Sequence, residues 1–163
     1  MAANTAGICT SFKQDLLNGI HVFGPSNPAR SANTADAFYA ALFFINGGLS
    51  VATTSYSTTG EVDNPHSGAT IATGYTAGGV AVTNATPPAN ASSTAYWTPS
   101  ASIAWTGLTI AGTAFDTVMI YNSSASGKNA VALFNFSAQT ITAGNLSLTM
   151  PTNSYSAALI RLA

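Results

Sequence analysis

The residues best suited to chemistry lie in one polar stretch, where Glu61, Asp63 and His66 come close together in the sequence. One imidazole and two carboxylates are ligand types that divalent metal ions accept in proteins. No further histidine or cysteine follows nearby, and a solvated loop accounts for the same residues more simply. We therefore predict neither a metal site nor any other cofactor.

Two other reactive side chains lie near the amino terminus. His21 follows a short predicted helix that carries Asp15, and this arrangement favours a local hydrogen bond over catalysis. Cys9 is the single cysteine of the chain, which excludes an intrachain disulfide. We predict that its thiol is buried and idle.

Motifs of the common enzyme classes do not occur in the sequence. Serine is plentiful, so counting residues never excludes a Ser-His-Asp triad, but there is no G-x-S-x-G elbow. Neither Gly47-Gly48 nor Gly78-Gly79 lies in a phosphate-loop pattern. The chain has only five acidic residues, two of them in one loop, which disfavours the paired carboxylates of a glycosidase. We predict that the protein is not an enzyme and has no catalytic residues.

Charge and composition narrow the remaining classes. Four basic residues are scattered among five acidic ones, giving a net charge of −1, whereas nucleic-acid binding needs a basic cluster. Hydrophobic residues make up 47% of the chain, but no apolar run approaches the ~20 residues of a spanning helix. We therefore predict no contact with nucleic acid or membrane. So little charge gives weak self-repulsion, which suits a subunit of an assembly.

The clearest structural signal lies in Phe115–Phe136. Two apolar runs, Thr117–Tyr121 and Ala130–Phe136, flank the small and polar residues Asn122–Asn129. This pattern predicts a β-hairpin with a solvated loop. Both faces of each run carry apolar side chains, so we expect the hairpin between two layers or at a subunit contact. If one subunit buries both faces, the argument for an interface here loses its local support.

Other apolar runs predict further short strands around this hairpin. Ala37–Ile45 fits either a helix or a buried strand, and we favour the strand. Ser100–Ile110 changes phase at Gly107, which predicts a bulge or turn there. About eight short strands predict an all-β fold, a β-sandwich or jelly-roll-like domain over residues 35–163. The remaining predicted strands lie in Gly74–Thr83, Asn145–Met150 and Ala158–Leu162, with Thr86–Ser93 as a surface loop.

Residues 1–34 predict an amino-terminal arm that carries a short helix. Ser11 and Gln14 form a capping-box pattern, and Gly19 is placed to end the helix. A helix of two turns is unstable alone, so it must dock on its own domain or on a neighbour. On the second hypothesis, deletion of residues 1–23 leaves a folded domain that no longer joins its assembly. The predicted partner contacts are Phe12, Leu16, Leu17 and Phe23.

The aromatic residues allow one further hypothesis, a stacking platform for sugars. Trp105 is in phase with Ile103, which favours a place in the core. Tyr96 and Trp97 begin a predicted strand after a loop, and aromatic residues at such positions are commonly half-buried. We therefore favour core or interface packing for the candidate platform residues, which are Tyr56, Tyr75, Tyr96, Trp97 and Trp105.

An ordered series of motifs runs through nearly the whole chain. It consists of SFKQDLLNGIHVFG, DAFYAALFF, TTSYSTTGEV, GYTAGGVAVT, SIAWTGLTI, FDTVMIYN, NAVALFNFSAQTITAGNLSLTMP and the terminal LIRLA. In this order the motifs resemble a family of small all-β virion structural proteins of tailed bacteriophages. The chain departs from that family at Tyr39, where a lysine is common, and at Asp63–Thr73, where a short turn is usual.

The resemblance implies a non-enzymatic component of the virion and supplies no catalytic residues. We expect a capsid decoration or cement protein on the outer surface of the phage head, a homotrimer that binds the major capsid protein or another virion protein. One alternative is a protein of the tail, neck or fibre base, which copy number per particle distinguishes. Another is a carbohydrate-binding module that contacts the host surface, for which Trp97→Ala is the test.

Overall fold

The computed structural model describes residues 3–23, 34–63 and 72–163. Strands predominate in these ranges, as the composition predicts, and the predicted short helix is present. Most turns fall where Gly, Asn and Ser cluster, because these residues tolerate the backbone angles that turns require. The helix is α1 (Thr10–Leu17), and the strands are β1 (Gly7–Ile8), β2 (Phe38–Phe44), β3 (Val80–Val82), β4 (Ala89–Ala91), β5 (Thr94–Trp97), β6 (Ile103–Asn122), β7 (Ala130–Leu148) and β8 (Ile160–Leu162).

The described strands form two antiparallel sheets. One has five strands in the order β1-β7-β6-β2-β3, and the other has three in the order β4-β5-β8. Trp97 of the small sheet packs against Phe23 and Phe38, with ring centroids 4.7 and 6.0 Å apart. The predicted all-β, sandwich-like architecture is therefore confirmed. No helix in the described ranges is long and apolar enough to cross a membrane.

The predicted hairpin is confirmed, but its strands are much longer than the two apolar runs. β6 and β7 pair from Tyr121 and Ala130 at the turn to Ile103 and Leu148 at the far end. The separate strands predicted near both far ends are continuations of the same pair. Several register shifts interrupt the ladder, and such bulges let a strand change phase without ending.

Gly107 lies at one of these shifts, between Trp105 and Leu108. Its φ of +65° belongs to the left-handed region that glycine enters without a steric cost. The apolar residues before the bulge are Ile103 and Trp105, and those after it are Leu108 and Ile110. All four are buried, so the bulge lets both parts of the strand face the core. The predicted bulge at Gly107 is confirmed.

β2 resolves the ambiguity over residues 37–45 in favour of a strand. It lies between β6 and β3, and six of its seven residues are buried. A strand covered on both faces carries a continuous apolar run instead of an alternating one. Position in the middle of the sheet therefore explains why periodicity alone left helix and strand undecided.

The arm is packed into the same core as the sheets. Cys9 precedes α1, and its backbone N–H donates to the carbonyl of Val131, which attaches the start of the helix to β7. No side chain caps the helix, so the predicted capping box of Ser11 and Gln14 is wrong: the N-cap is Cys9, two residues earlier, where backbone pairing with β7 fixes the start of the helix. The helix ends before Gly19, as predicted.

The hairpin is buried on both faces near its turn by its own chain. Every residue of 117–122 and of 130–133 is buried, with α1 and β1 packing near β7 and β2 alongside β6. The expectation of a subunit contact at this end of the hairpin therefore loses its local support. The homotrimer stays a prediction without that argument.

Candidate functional site

Glu61 is the most deeply buried charged residue among the described ones, with 0% of its surface exposed. Its Oε1 accepts hydrogen bonds from Tyr75 Oη and from the backbone N–H of Gly78, both at 2.7 Å. Its Oε2 accepts from Tyr56 Oη at 2.6 Å. The predicted solvated loop is therefore wrong at this residue, because Tyr56 and Tyr75, on either side of it in the sequence, donate hydrogen bonds to its buried carboxylate. His66 lies outside the described residues.

This arrangement ties four parts of the chain together. Tyr75 Oη also accepts from the N–H of Leu42 in β2 at 2.9 Å, and Tyr121 Oη of β6 donates to the carbonyl of Gly78 at 2.9 Å. Burial raises the pKa of the Glu61 carboxyl, although the hydrogen bonds from Tyr56 and Tyr75 oppose this shift. Both oxygens of the carboxylate accept hydrogen bonds, so the network satisfies a buried polar group and joins a loop to the sheet.

Asn122, at the turn end of β6, organises a second buried cluster. Its Oδ1 accepts from the backbone N–H groups of Ser124 and Ala125 at 3.0 and 3.1 Å. This fixes the orientation of the amide, because the NH₂ group must then face the other way. Nδ2 donates to Asp36 Oδ2 at 2.7 Å and lies 3.0 Å from His21 Nδ1.

His21 is consequently held as a neutral ring with its proton on Nε2, because Nδ1 accepts from the amide. Nε2 lies 3.6 Å from Asp15 Oδ2, which is too long for a hydrogen bond, so the two side chains are neighbours but the predicted hydrogen bond between them is not formed. Asp15 Oδ2 instead accepts from Asn129 Nδ2 at 2.8 Å. Burial lowers the pKa of His21, and the nearby carboxylates of Asp15 and Asp36 only partly offset that shift. The cluster fastens the arm to the hairpin turn.

Cys9 is completely buried, and burial raises the pKa of its thiol to about 11. The prediction that the thiol is buried is confirmed, and a raised pKa disfavours the thiolate, which is the reactive form. Within residues 3–23, 34–63 and 72–163, no three His, Cys, Asp or Glu side chains are grouped so as to hold a metal ion.

The candidate sugar platform is dispersed through the core. Trp97 and Trp105 are each 3% exposed, and Tyr75 is 7% exposed. Tyr56 stacks on Tyr121 with ring centroids 4.4 Å apart. Core packing is confirmed for both tryptophans and for Tyr75, and these rings present no common exposed face.

An apolar groove runs between the arm and the small sheet, with a volume of about 80 Å³. Three of the four predicted partner residues, Phe12, Leu16 and Phe23, line it. Phe12 itself is 1% exposed, so it packs in its own core and contributes only the floor of the groove. Leu17 is 90% exposed on the same helix. The other residues of the wall are Pro88, Ala95, Tyr96, Trp97, Ile160 and Leu162.

The groove brings together residues from both ends of the chain, and sequence reasoning found only its arm side. The helical spacing of apolar residues was the signal for that side. Ile160 and Leu162 carried no comparable signal, because a terminal apolar strand fits a core position equally well. Only the pairing of β5 with β8 brings them to the helix.

Comparison of the chain with protein-family models, with curated proteins and with solved structures gives no match.

Proposed function

We propose that this protein is a non-enzymatic structural subunit of a bacteriophage particle, a decoration or cement protein on the outer surface of the head. The observation that supports it best is the apolar groove beside α1. An exposed leucine next to an unfilled apolar groove stabilises nothing in the isolated chain, whereas both lower the free energy of a complex when a partner covers them.

The partner in this proposal is the major capsid protein, which supplies apolar side chains to the groove. Leu17 inserts into the partner, while Leu16, which is half-buried, and Leu162, which is exposed, form the surface of the groove on which the partner's side chains pack. Low charge supports this mode of binding, because desolvating a charge on association is costly and few charges need to be desolvated here.

Reassembly on phage heads that lack the subunit tests the proposal. The purified wild-type protein is expected to sediment with such heads, and the Leu17→Asp variant is expected to stay in solution, because a carboxylate would have to be buried on binding. Tyr155→Asp is the matched control: Tyr155 is 49% exposed and lies outside the groove. Undiminished sedimentation of Leu17→Asp overturns the proposed contact.

Copy number distinguishes the head from the tail, neck and fibre alternatives. Densitometry of purified virions is expected to give a copy number comparable with that of the major capsid protein. A few copies per particle would assign the subunit to the tail or neck instead. The point variant replaces deletion of residues 1–23 as the test, because that deletion would remove Cys9 and Phe12 from the core and unfold the domain.

Sugar binding at the host surface is a second candidate function, and one observation favours it. A cleft of about 350 Å³ is lined by hydroxyl and amide side chains beside Pro99, Met150 and Pro151. Hydroxyl-rich surfaces offer the donors and acceptors that sugars require. Binding on a glycan array that Asn153→Ala abolishes would support this function, and a wild-type array without signal would refute it. The polar residues of the cleft are Thr86, Thr98, Ser100, Ser102 and Asn153.

A further inference from the structure

The segment His21–Phe23 contributes to one wall of the apolar groove through the ring of Phe23. This ring stacks on Phe38 with centroids 4.5 Å apart and contacts Trp97 at 4.7 Å, and it lines the groove together with Trp97. Aromatic pairs at such distances stabilise the contact beyond the area that they bury. The shape of this side of the groove therefore depends on how firmly the chain around Phe23 is held.

Hydrogen bonds to Asp36 and Asn122 hold this segment in place. The N–H of Val22 donates to Asp36 Oδ2 at 2.8 Å, and the carbonyl of Val22 accepts from the N–H of Asp36 at 2.9 Å. Asn122 Nδ2 donates to the same carboxylate oxygen and lies 3.0 Å from His21 Nδ1. One amide group thus joins the segment to the hairpin turn, because it bridges Asp36 and His21.

The amide of Asn122 is confined to one orientation. Its Oδ1 accepts from the backbone N–H groups of Ser124 and Ala125, and rotation of the amide by 180° would break both hydrogen bonds. Asn122 is completely buried, where a polar group left without a partner is costly. As long as the turn keeps its conformation, the NH₂ group therefore faces His21 Nδ1.

A proton on His21 Nδ1 would be directed at this NH₂ group. The imidazolium carries an N–H on both of its nitrogens, so two donors would meet where the nitrogens are now 3.0 Å apart. Since the amide cannot rotate without breaking the turn, the ring is the group that must move. The geometry of the cluster therefore accepts neutral His21 and excludes the cation.

Attraction from nearby charges does not remove this conflict. The charged groups that face His21 are Asp15 of α1 and Asp36 ahead of β2, while Lys128 of the turn lies over the ring of Tyr56. Both carboxylates favour the imidazolium, but burial has the larger effect and lowers the pKa of His21. Uptake of a proton is consequently linked to departure of the ring from the cluster.

We propose that protonation of His21 in mild acid releases the segment His21–Phe23 and opens this wall of the groove. The ring leaves Asn122, Val22 separates from Asp36, and Phe23 withdraws from Trp97. The helix α1 stays docked, because the N–H of Cys9 bonds independently to β7. Release is a property of the free chain, and only its consequence, weaker capsid binding in acid, rests on the proposed function.

Fluorescence of Trp97 tests the release in a Trp105→Phe background, which leaves one tryptophan. Trp105 Nε1 has no hydrogen-bond partner among the described residues, so this substitution removes no hydrogen bond there. As the pH falls below 6.5, the usual pKa of histidine, the emission of Trp97 is expected to move to longer wavelength, because water reaches the ring. Far-ultraviolet circular dichroism is expected to stay unchanged over the same range.

Two histidine variants in this background form a matched pair, since the chain has two histidines. His21→Gln is expected to abolish the shift in emission, because glutamine accepts the hydrogen bond from Asn122 through Oε1 and does not titrate. His66→Gln removes the other imidazole and is expected to keep the shift.

Two measurements on the wild type distinguish release of the segment from unfolding. Cys9 is completely buried, and its thiol is expected to stay unreactive toward 4,4′-dithiodipyridine throughout the transition. In nuclear magnetic resonance spectra, the ring signals of His21 and Phe23 are expected to change together, with one midpoint below pH 6.5. These spectra decide the question if Trp105→Phe does not fold.

Several results overturn the proposal. One is an emission of Trp97 that stays constant down to the pH of acid unfolding, and another is a shift that persists in His21→Gln or is lost in His66→Gln. Reaction of Cys9, or loss of circular dichroism, at the same pH would show that the whole domain unfolds. None of these measurements uses phage heads, so their failure leaves the Leu17→Asp test at neutral pH unaffected.

Discussion

The two halves of the β6–β7 hairpin belong to the same pair of strands but lie in different surroundings. Near the turn, residues 117–122 and 130–133 are buried without exception, because β2 and β1 flank them. Farther out, residues 134–148 are mostly exposed or half-buried, with Leu146 as the one buried member. β6 keeps buried side chains in the outer half as well, at Ile103, Trp105, Leu108 and Ile110, so the contrast between the two halves lies in β7.

The difference shows that apolar content alone does not locate an interface. The inner half has the richer apolar pattern on both faces, and the chain covers it completely. The outer half of β7 is more polar and is less covered by its own chain. Interaction surfaces in this fold are therefore better sought where apolar side chains stay uncovered, as Leu17 does on the helix that borders the groove, than where apolar side chains are most numerous.

Two glycines give the largest expected contrast between the halves. Gly79 lies against β2 beside the inner half with a φ of +77°, and an added Cβ would lie 1.8 Å from the carbonyl oxygen of Ala40. Gly107 in the outer half has a φ of +65°, and nothing lies within 4 Å of an added Cβ. We expect Gly79→Ala to lower the free energy of unfolding by more than about 4 kcal/mol, and Gly107→Ala by only about 1 kcal/mol. Urea denaturation measures both.

This contrast would be contradicted by similar losses in the two glycine variants. A small loss in Gly79→Ala would mean that the Ala40 carbonyl moves readily, and hence that the inner half is less rigid than its burial indicates. A large loss in Gly107→Ala would mean that another molecule covers the outer half in solution.

Two leucines of β7 provide a matched pair of intermediate size. Leu133 is fully buried in the inner half, and Leu148 is half-buried at the outer end. We expect Leu133→Ala to cost about 3 kcal/mol, because it leaves a cavity that neighbouring strands fill poorly. Leu148→Ala is expected to cost about 1 kcal/mol, since it loses less buried surface. If the two variants unfolded at the same urea concentration, the two halves of the hairpin would not differ in their contribution to stability.

The smallest expected effect concerns pH and the cluster at the turn. Burial lowers the pKa of His21 below its usual 6.5, so near that pH the unfolded chain takes up a proton more readily than the folded one. The contribution of His21 to the free energy of unfolding is therefore full above pH 6.5 and declines as the pH falls below it. Urea midpoints measured across this range are expected to fall for the wild type and to fall less for His21→Gln.

Leu148→Ala is the control for the pH series, because it lies far from the cluster and should keep the wild-type slope. Glu61 affects the free energy of unfolding with the opposite dependence on pH. The pKa of its carboxyl is raised above 4.5. Its contribution to the free energy of unfolding is therefore present below pH 4.5 and is lost as the pH rises through the raised pKa. A His21→Gln variant with an unchanged slope on the acid side would show that another group governs it.

Particular elements show how far sequence reasoning extends. The hairpin and the bulge at Gly107 were predictable, because apolar runs, turn residues and a phase change are local signals, whereas periodicity alone did not distinguish strand from helix over residues 38–44. The length of β6 and β7 was not predictable, since bulges disguise one long strand as several short ones. The predicted capping box of Ser11 and Gln14 does not form, because backbone pairing between Cys9 and Val131 fixes the start of the helix instead.

The apolar groove beside α1 was likewise predictable only in part. The apolar spacing of α1 predicted Leu16 and Leu17 as partner contacts, and in the structure Leu16 lines the groove and Leu17 is the most exposed of the large hydrophobic residues described. The terminal strand that completes the groove was indistinguishable in sequence from an ordinary core strand. Whether it faces the helix depends on strand order, which no local pattern encodes.

The sequence by itself determined the class of fold, the position of the hairpin and the scarcity of charge, because these follow from residue types and their spacing. The tertiary structure alone decided what surrounds Glu61 and His21. Tyr75 reaches Glu61 across 14 positions of the chain, and His21 and Asn122 meet across 101 positions. Both facts depend on which strands become neighbours, and that choice is made by the packing of the whole chain.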